Sequence, residues 1–327
     1  MRKRLKQKNK QIEKRDKKVI CTVTVNPAID RMIYLSELNL DNTNRIKDIE
    51  EVLGGKGTHV SVNLGILGHR NKAFGVDFGK NGHRIEEMLS ESEIEMEFLH
   101  YEEGNSRMNY ALIEDNQICT LLSEKGQIIS LEQSEALLKK IYDEVQGGDI
   151  LVLSGDASNS EIPMIYPEIM KRVADKGVRV FLDSSSENLK EGLKWKPFLI
   201  KPNEDELTQI YGRKIEGEEA IIEAIKDLTA KGIQCVAVSC GGNGSYVGYE
   251  GKIYRIYPLK VDVKNTIGCG DAFLSGLAYG FDKKMKFEDI LRYAAAVSSA
   301  TAEDKSTVGF DKERALELLD KVVIETL

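Results

Sequence analysis

Apolar residues along this chain come in short, β-branched runs, and the stretches between them repeat with helical periodicity. Residues 19–25 (VICTVTV), 149–155 (DILVLSG), 178–184 (VRVFLDS), 198–203 (FLIKPN) and 235–242 (CVAVSCGG) each read as a strand buried on both faces. Residues 131–145, 162–176 and 220–230 read as amphipathic helices. This alternation predicts parallel βαβ units, hence an α/β fold with helices on both faces of a mainly parallel sheet. Ligands of such sheets lie beyond the carboxyl ends of the strands, which puts Asn26, Gly155, Asp183, Asn203 and Gly241 on one rim.

Two segments break the pattern. Residues 31–52 and 107–123 alternate apolar and polar positions and carry turn signals (LNLDNTN, EDNQ). They read as antiparallel strands outside the main sheet, pairing into a small β-sheet placed as a lid over the rim. Neither segment can bury a core of its own, so residues 19–327 are expected to form one domain. Exposed strand edges invite pairing, so the accessory strands either form the lid alone or meet a second subunit's strands in a homodimer.

Charge changes the picture at one end. Residues 1–18 hold ten Lys/Arg against Glu13 and Asp16, a net of +8, while the whole chain is −7 and the remainder therefore −15. The basic segment reads as a disordered extension, and an acidic body is a poor partner for nucleic acid. No apolar run approaches the ~20 residues that span a bilayer, so no membrane partner is expected. Five cysteines with no CxxC pair and four histidines at no zinc spacing point to free thiols in a reducing compartment, the cytoplasm.

The chemistry concentrates in two glycine turns. In residues 265–280 (NTIGCGDAFLSGLAYG), Gly268, Cys269 and Gly270 form a tight turn opening a helix near Asp271. Free backbone N–H groups and the positive end of the helix dipole make such a turn an anion cradle. Asp271 beside it is placed to accept a hydroxyl proton, although an aspartate there also serves as a plain helix cap. Residues 53–68 (LGGKGTHVSVNLGILG) repeat the glycine-to-helix arrangement after NPAID (26–30). Two such helices suggest one site for a phosphoryl acceptor and one for its donor. Neither turn has the spacing of a P-loop or of a dinucleotide fingerprint.

With TVTVNPAIDR, LGGKG, GNSRMN, SGD, LDSSSENL, KPNEDEL, VSCGGNGS and NTIGCGDAF following one another in order, the chain resembles the PfkB (ribokinase-like) carbohydrate kinases, in the branch of 1-phosphofructokinase and tagatose-6-phosphate kinase. The resemblance runs from about Val19 to the C-terminus and implies a ribokinase-like three-layer sandwich plus a small β-sheet lid. It implies ATP as donor, Mg²⁺, and a sugar phosphate as acceptor: fructose 1-phosphate first, tagatose 6-phosphate second. On its terms Asp271 is the general base and Gly268, Cys269 and Gly270 the anion hole. Asp30, Gly55, Lys56, His59, Arg107 and Asn109 surround the acceptor. Asn203, Ser239, Gly241, Gly244, Gly268, Gly270 and Ala296 border the nucleotide, and Asn203 with Glu206 organises Mg²⁺ through water from one helix face.

Three positions depart from the family's pattern. His59 stands where the first-helix motif GGKGxNVA has an Asn that touches the sugar, and unlike Asn it can titrate. Asp156 adds a carboxylate beside a site expected to hold anions. Cys269 replaces a small residue in the Gly-x-Gly-Asp turn, and a thiol at a helix N-terminus can have a lowered pKa, the requirement of a redox switch. Alternative readings are a kinase of an unphosphorylated sugar or nucleoside, and a sugar-phosphate-binding protein that has kept the fold without the chemistry.

Overall fold

The computed structural model describes residues 18–92, 94–116 and 118–327; the basic extension expected over residues 1–18 lies, but for Lys18, outside the described residues. The parallel part of the main sheet comprises β1 (Ile20–Thr24), β4 (Asn71–Phe78), β5 (Ile94–Tyr101), β8 (Ile150–Ser154), β9 (Arg179–Asp183), β10 (Leu199–Ile200) and β11 (Cys235–Ser239). β12 (Ser245–Tyr249), β13 (Lys252–Ile256) and β14 (Ile324–Thr326) extend it antiparallel at one edge, giving the order β14-β13-β12-β11-β10-β9-β8-β1-β4-β5. The five strands expected from the apolar runs are all present. β10 is shorter than its run, because Pro202 has no N–H to donate and Asn203 already caps the next helix.

Strand alternation builds two cores, one on each face. Cys21, Val23, Leu151, Leu153, Val180, Leu182, Val236 and Val238 point to one side, and Ile20, Ile150, Val152, Phe181, Cys235 and Ala237 to the other. The first face is covered by α3 (Leu131–Glu144), α4 (Ile165–Val173), α5 (Ser186–Leu193), α6 (Glu204–Tyr211) and α7 (Glu218–Ala230), through residues such as Leu137, Ile169, Leu207 and Ile225. The second is covered by α1 (Lys56–Ile66), α8 (Cys269–Asp282), α9 (Phe287–Ala302) and α10 (Lys312–Leu318), through Val60, Leu64, Leu274, Leu277 and Leu291. The result is the expected three-layer sandwich. Among the described residues no helix is long and apolar enough to cross a membrane.

β2 (Ala28–Leu35), β3 (Ile46–Gly54), β6 (Arg107–Glu114) and β7 (Cys119–Ser123) form a separate four-stranded sheet in the order β3-β2-β6-β7. Each segment pairs antiparallel within itself, but the two meet through a parallel β2–β6 ladder rather than an antiparallel one. Its register sets Asp30 directly beside Asn109 on the face that also carries the buried Met32 and Ala111. The opposite face shows Ile33, Ile49, Leu112 and Leu122, with Ile49 and Leu122 about half exposed.

Candidate active site

The chain runs outward from β1 in both directions, to β4 and β5 on one side and to β8–β11 on the other. The ends of β1 and β8 therefore flank the point where the strand order reverses, the place where open α/β sheets form a crevice. Lys56 enters this crevice from the head of α1, and Asp183 from the last position of β9. Asp271 enters from the first turn of α8, where α8 is buried against both α1 and α9.

The turn before α8 is built for close approach. Gly268 sits at φ +82° with its Cα turned so that a Cβ would lie 2.0 Å from the Thr307 carbonyl oxygen, which only glycine permits. After it, the N–H groups of Gly270 and Asp271 have no partner among the described residues, while Ala272 N–H already donates to the Gly268 carbonyl. Lys201 Nζ lies 3.3 Å from where a Cβ on Gly270 would be. Two free donors, a helix N-terminus and a nearby ammonium make this turn suited to stabilising an anion. Cys269 keeps its backbone in this turn, but burial, with Asp271 adding to it, pushes its thiol up to about 11. That works against a reactive thiolate in this turn.

Asp183 is fully buried, with Lys201 Nζ 3.3 Å and Lys56 Nζ 3.9 Å from its Oδ1, and it accepts from Ser154 Oγ at 3.2 Å. Burial alone would raise its pKa; Lys201 and Lys56, with the bonds from Lys201 and Ser154, outweigh it and hold the carboxyl below its usual range. The Lys56 ammonium is raised chiefly by Asp183, against burial, and further by Asp271 and Glu206. Lys56 thus stands among three carboxylates. Asp183 was foreseen only as a rim position, and Lys201 was missed. An aspartate closing one apolar run and a lysine closing the next were the available signals.

On the acceptor side, Asn109 Nδ2 donates to Asp30 Oδ1 at 2.7 Å, and both residues are buried. Asn109 Oδ1 is buried with no partner. Gly54 must lack a side chain, since a Cβ would lie 2.2 Å from Asp30 Oδ1, and Gly55 follows at φ +102° to open α1. Arg107 donates through Nε to the Asn26 carbonyl (3.2 Å) and through Nη1 to that of Glu124 (3.5 Å). Burial lowers its pKa against the charges of Asp156 and Asp30. Asp156 is paired rather than loose: it accepts from Asn26 Nδ2 at 3.0 Å and lies 4.0 Å from Arg107 Nη1.

His59 does not point at open space. Its Nδ1 is 2.8 Å from Asp271 Oδ2 and its Nε2 2.9 Å from the Leu53 carbonyl, so both ring nitrogens are engaged and the residue is 4% exposed. The sugar hydrogen bond expected of His59 is corrected on this ground, because no ring nitrogen is left to make one.

The nucleotide-side residues are only partly gathered. Ser239, the last residue of β11, forms a parallel bridge with Asn203, Gly241 opens to solvent with nothing within 4 Å of a Cβ there, and Gly244 (φ +88°) closes the turn. Asn203 is not on a helix face with Glu206. It is the N-cap of α6, and the two form a capping box: Glu206 N–H donates to Asn203 Oδ1 (2.8 Å) and Asn203 N–H to Glu206 Oε2 (2.9 Å). The spacing therefore serves the cap first. Glu206 Oε1 makes no hydrogen bond among the described residues; burial and the charge of Asp183 raise this carboxyl, against Lys56, the cap bond and Lys201. An oxygen donor in such a place suits a hard cation, which would relieve the negative charge. Ala296 is not brought to the site. It is fully buried in the core that α8 and α9 share, so it presents no surface to adenine.

One further cluster escaped the sequence reading. His83 and His100 stack at 3.9 Å beside Glu86, with His100 Nδ1 bonded to the buried Asp77, whose carboxyl burial raises to about 6. Near-parallel rings send their in-plane lone pairs side by side rather than to one point, so this is a stack seated on Asp77 and not a formed ion site.

A 1-phosphofructokinase of Haemophilus influenzae is 33% identical over 93% of this chain and 97% of its own length. A tagatose-6-phosphate kinase of Staphylococcus epidermidis is 28% identical over 94% and 99%. The solved phosphofructokinase-2 of Escherichia coli in complex with substrates and products shares the fold at a TM-score of 0.87, with 19% identity over 93% of this chain and 99% of that one. Residues 23–313 match the pfkB family of carbohydrate kinases, and the chain belongs to that family, a phosphotransferase with an alcohol group as acceptor.

Proposed function

We propose that this chain transfers the γ-phosphoryl group of ATP to a free hydroxyl of a ketohexose phosphate, fructose 1-phosphate first and tagatose 6-phosphate second. The observation that carries the reading is the meeting, at the head of α8, of the Asp271 carboxylate with two unpartnered N–H groups and the Lys201 ammonium. Relatives named for these two substrates match nearly the whole chain and support the choice.

In this reading Asp271 accepts the acceptor hydroxyl's proton as its oxygen attacks the γ-phosphorus, and the bond to the β,γ-bridging oxygen breaks to release ADP. The transition state is rich in charge and loosely bonded, so positioning and electrostatics supply most of the acceleration. The turn Gly268–Cys269–Gly270, with Lys201 and Lys56, offsets that charge. Asp30 and Asn109 orient sugar hydroxyls, and the orphaned Asn109 Oδ1 suits a hydroxyl donor. Arg107 Nη2 makes no hydrogen bond among the described residues, which suits the phosphate the acceptor already carries. Ser239, Gly241 and Gly244 border the nucleotide phosphates. Glu206, through Oε1, and Asn203 would hold Mg²⁺ through water, and a bound Mg²⁺ supplies charge neutralisation to the nucleotide phosphates.

The four-stranded sheet acts as the lid in this proposal, since its inward face carries Asp30 and Asn109. Its outward apolar face supports a homodimer through the same strands.

The test is a panel of coupled ADP-release assays on fructose 1-phosphate, tagatose 6-phosphate, free hexoses and nucleosides. The highest kcat/KM is expected on fructose 1-phosphate. Turnover confined to an unphosphorylated sugar or nucleoside would overturn the substrate class, and sugar-phosphate binding without any turnover would leave a non-catalytic binding protein.

A further inference from the structure

His59 and Asp271 are 212 residues apart in sequence and share a buried hydrogen bond of 2.8 Å. The proton count of this contact is fixed by its surroundings. The Leu53 carbonyl can only accept, so the hydrogen on His59 Nε2 points at it. Nδ1 and a carboxylate oxygen are then both acceptors unless a further proton lies between them. At 2.8 Å the two atoms leave no room for a water between them. The pair therefore holds one, either as imidazolium and carboxylate or as neutral imidazole and carboxylic acid.

The neighbouring charges favour the ionic form, imidazolium and carboxylate. The charge of Asp30 on β2 acts on the ring, and that of Lys56, on the helix that bears His59, acts on Asp271. Burial works against an imidazolium, but the bond and charge of Asp271, then Asp30, then the Leu53 carbonyl outweigh it and raise His59 above the usual histidine range. The Asp271 carboxylate makes no other hydrogen bond or ion pair among the described residues, so Oδ1 stays open.

We propose that His59 is a positioning residue for the base: its Nδ1–H holds Oδ2 of Asp271, leaves Oδ1 to receive the acceptor proton, and releases the base when His59 loses its proton at alkaline pH. This rests on the kinase reading above. In the transfer step the acceptor O–H bond breaks, the proton goes to Asp271 Oδ1, the oxygen bonds the γ-phosphorus, and ADP departs with the electron pair of the broken bond. His59 keeps its own proton throughout. Once His59 is neutral with its Nε2 hydrogen still on Leu53, two lone pairs face each other at Nδ1 and Oδ2, and the carboxylate turns away. An asparagine at this position still carries an amide N–H donor, and it cannot titrate.

The experiment compares kcat and KM from pH 5.5 to 10 in the wild type, H59A and H59N, using whichever acceptor the panel identifies. H59A is expected to lower kcat about 10- to 100-fold, the cost of a misplaced reacting group, with both KM values within about threefold. H59N is expected to restore most of that loss and to abolish the alkaline fall of the wild-type profile. An H59N profile with the same alkaline limb, or an H59A enzyme with unchanged kcat, would overturn the proposal. A second readout needs no turnover: the His59 imidazole is titrated by NMR, assigned through H59N, in the wild type and D271N. D271N is expected to lower the His59 pKa by about one unit or more, and an unmoved titration would overturn the pair. A moved titration in a chain that phosphorylates nothing would support the pair and sink the kinase reading instead.

Discussion

Asn109 donates its amide to Asp30 Oδ1 at 2.7 Å across the parallel β2–β6 ladder, and its own carbonyl oxygen is left buried without a partner. A buried donor–carboxylate bond is worth roughly 1.5–3 kcal/mol, and a hydroxyl reaching the pair would satisfy the orphaned oxygen. N109A is expected to raise the acceptor's KM by about 10- to 100-fold, with the KM for ATP within about twofold. Steady-state kinetics with each substrate varied in turn checks this. An equal rise in both constants would place Asn109 in the scaffold rather than at the acceptor.

Replacing the base separates chemistry from binding. D271N keeps the shape of the α8 turn and removes the charge that takes the proton. A fall in kcat of about 10²- to 10⁴-fold is expected, with the dissociation constant for ADP by calorimetry within about threefold. Activity that persisted in D271N would show that another group takes the proton.

Lys201 and Asp183 pair inside the protein at 3.3 Å, and both are at most 6% exposed. Breaking such a pair strands a charge, at a cost of about 3–5 kcal/mol, so K201M is expected to be strongly destabilised and D183N/K201M less so. The pH sign follows from Asp183, whose folded pKa lies below its ordinary value. Its contribution is complete above the unfolded carboxylate range, near ~3.9, and is lost as pH falls through the lower folded value. Urea unfolding between pH 2.5 and 7 should show that acid-side loss in the wild type and a smaller one in D183N.

What the sequence disclosed follows from which interactions are local. The apolar runs and the glycine turns state their own conformation, so the sheet, the layers and the turn before Asp271 were legible from residues within a few positions of each other. The His59–Asp271 bond and the Lys56–Asp183–Lys201 group depend on strand register and helix placement, which no local pattern encodes. Asn203 and Glu206 show the converse. Their i, i+3 spacing has two physical meanings, a capping box and a shared ligand, and only the backbone at Asn203 separates them. Ala296 was misplaced because a run of alanines in α9 carries no signal for which side meets the core.

The outward face of the small sheet carries the last prediction. Ile49, Ile33 and Leu112 stand side by side across three strands, with Leu122 on the next rung of the same face, and Ile49 and Leu122 remain about half exposed. Each fully buried side chain of this kind contributes about 1.5–3 kcal/mol, so a second copy laid against this face gains a sizeable apolar contact. Sedimentation velocity at micromolar concentration is expected to give a dimer, and I49E/L122E, on a face that does not carry Asp30, a monomer. If the lid also needs the partner to close, the monomeric variant will show a raised acceptor KM with nucleotide affinity kept. A wild-type chain that sediments as a monomer at every concentration would remove both the dimer and that link.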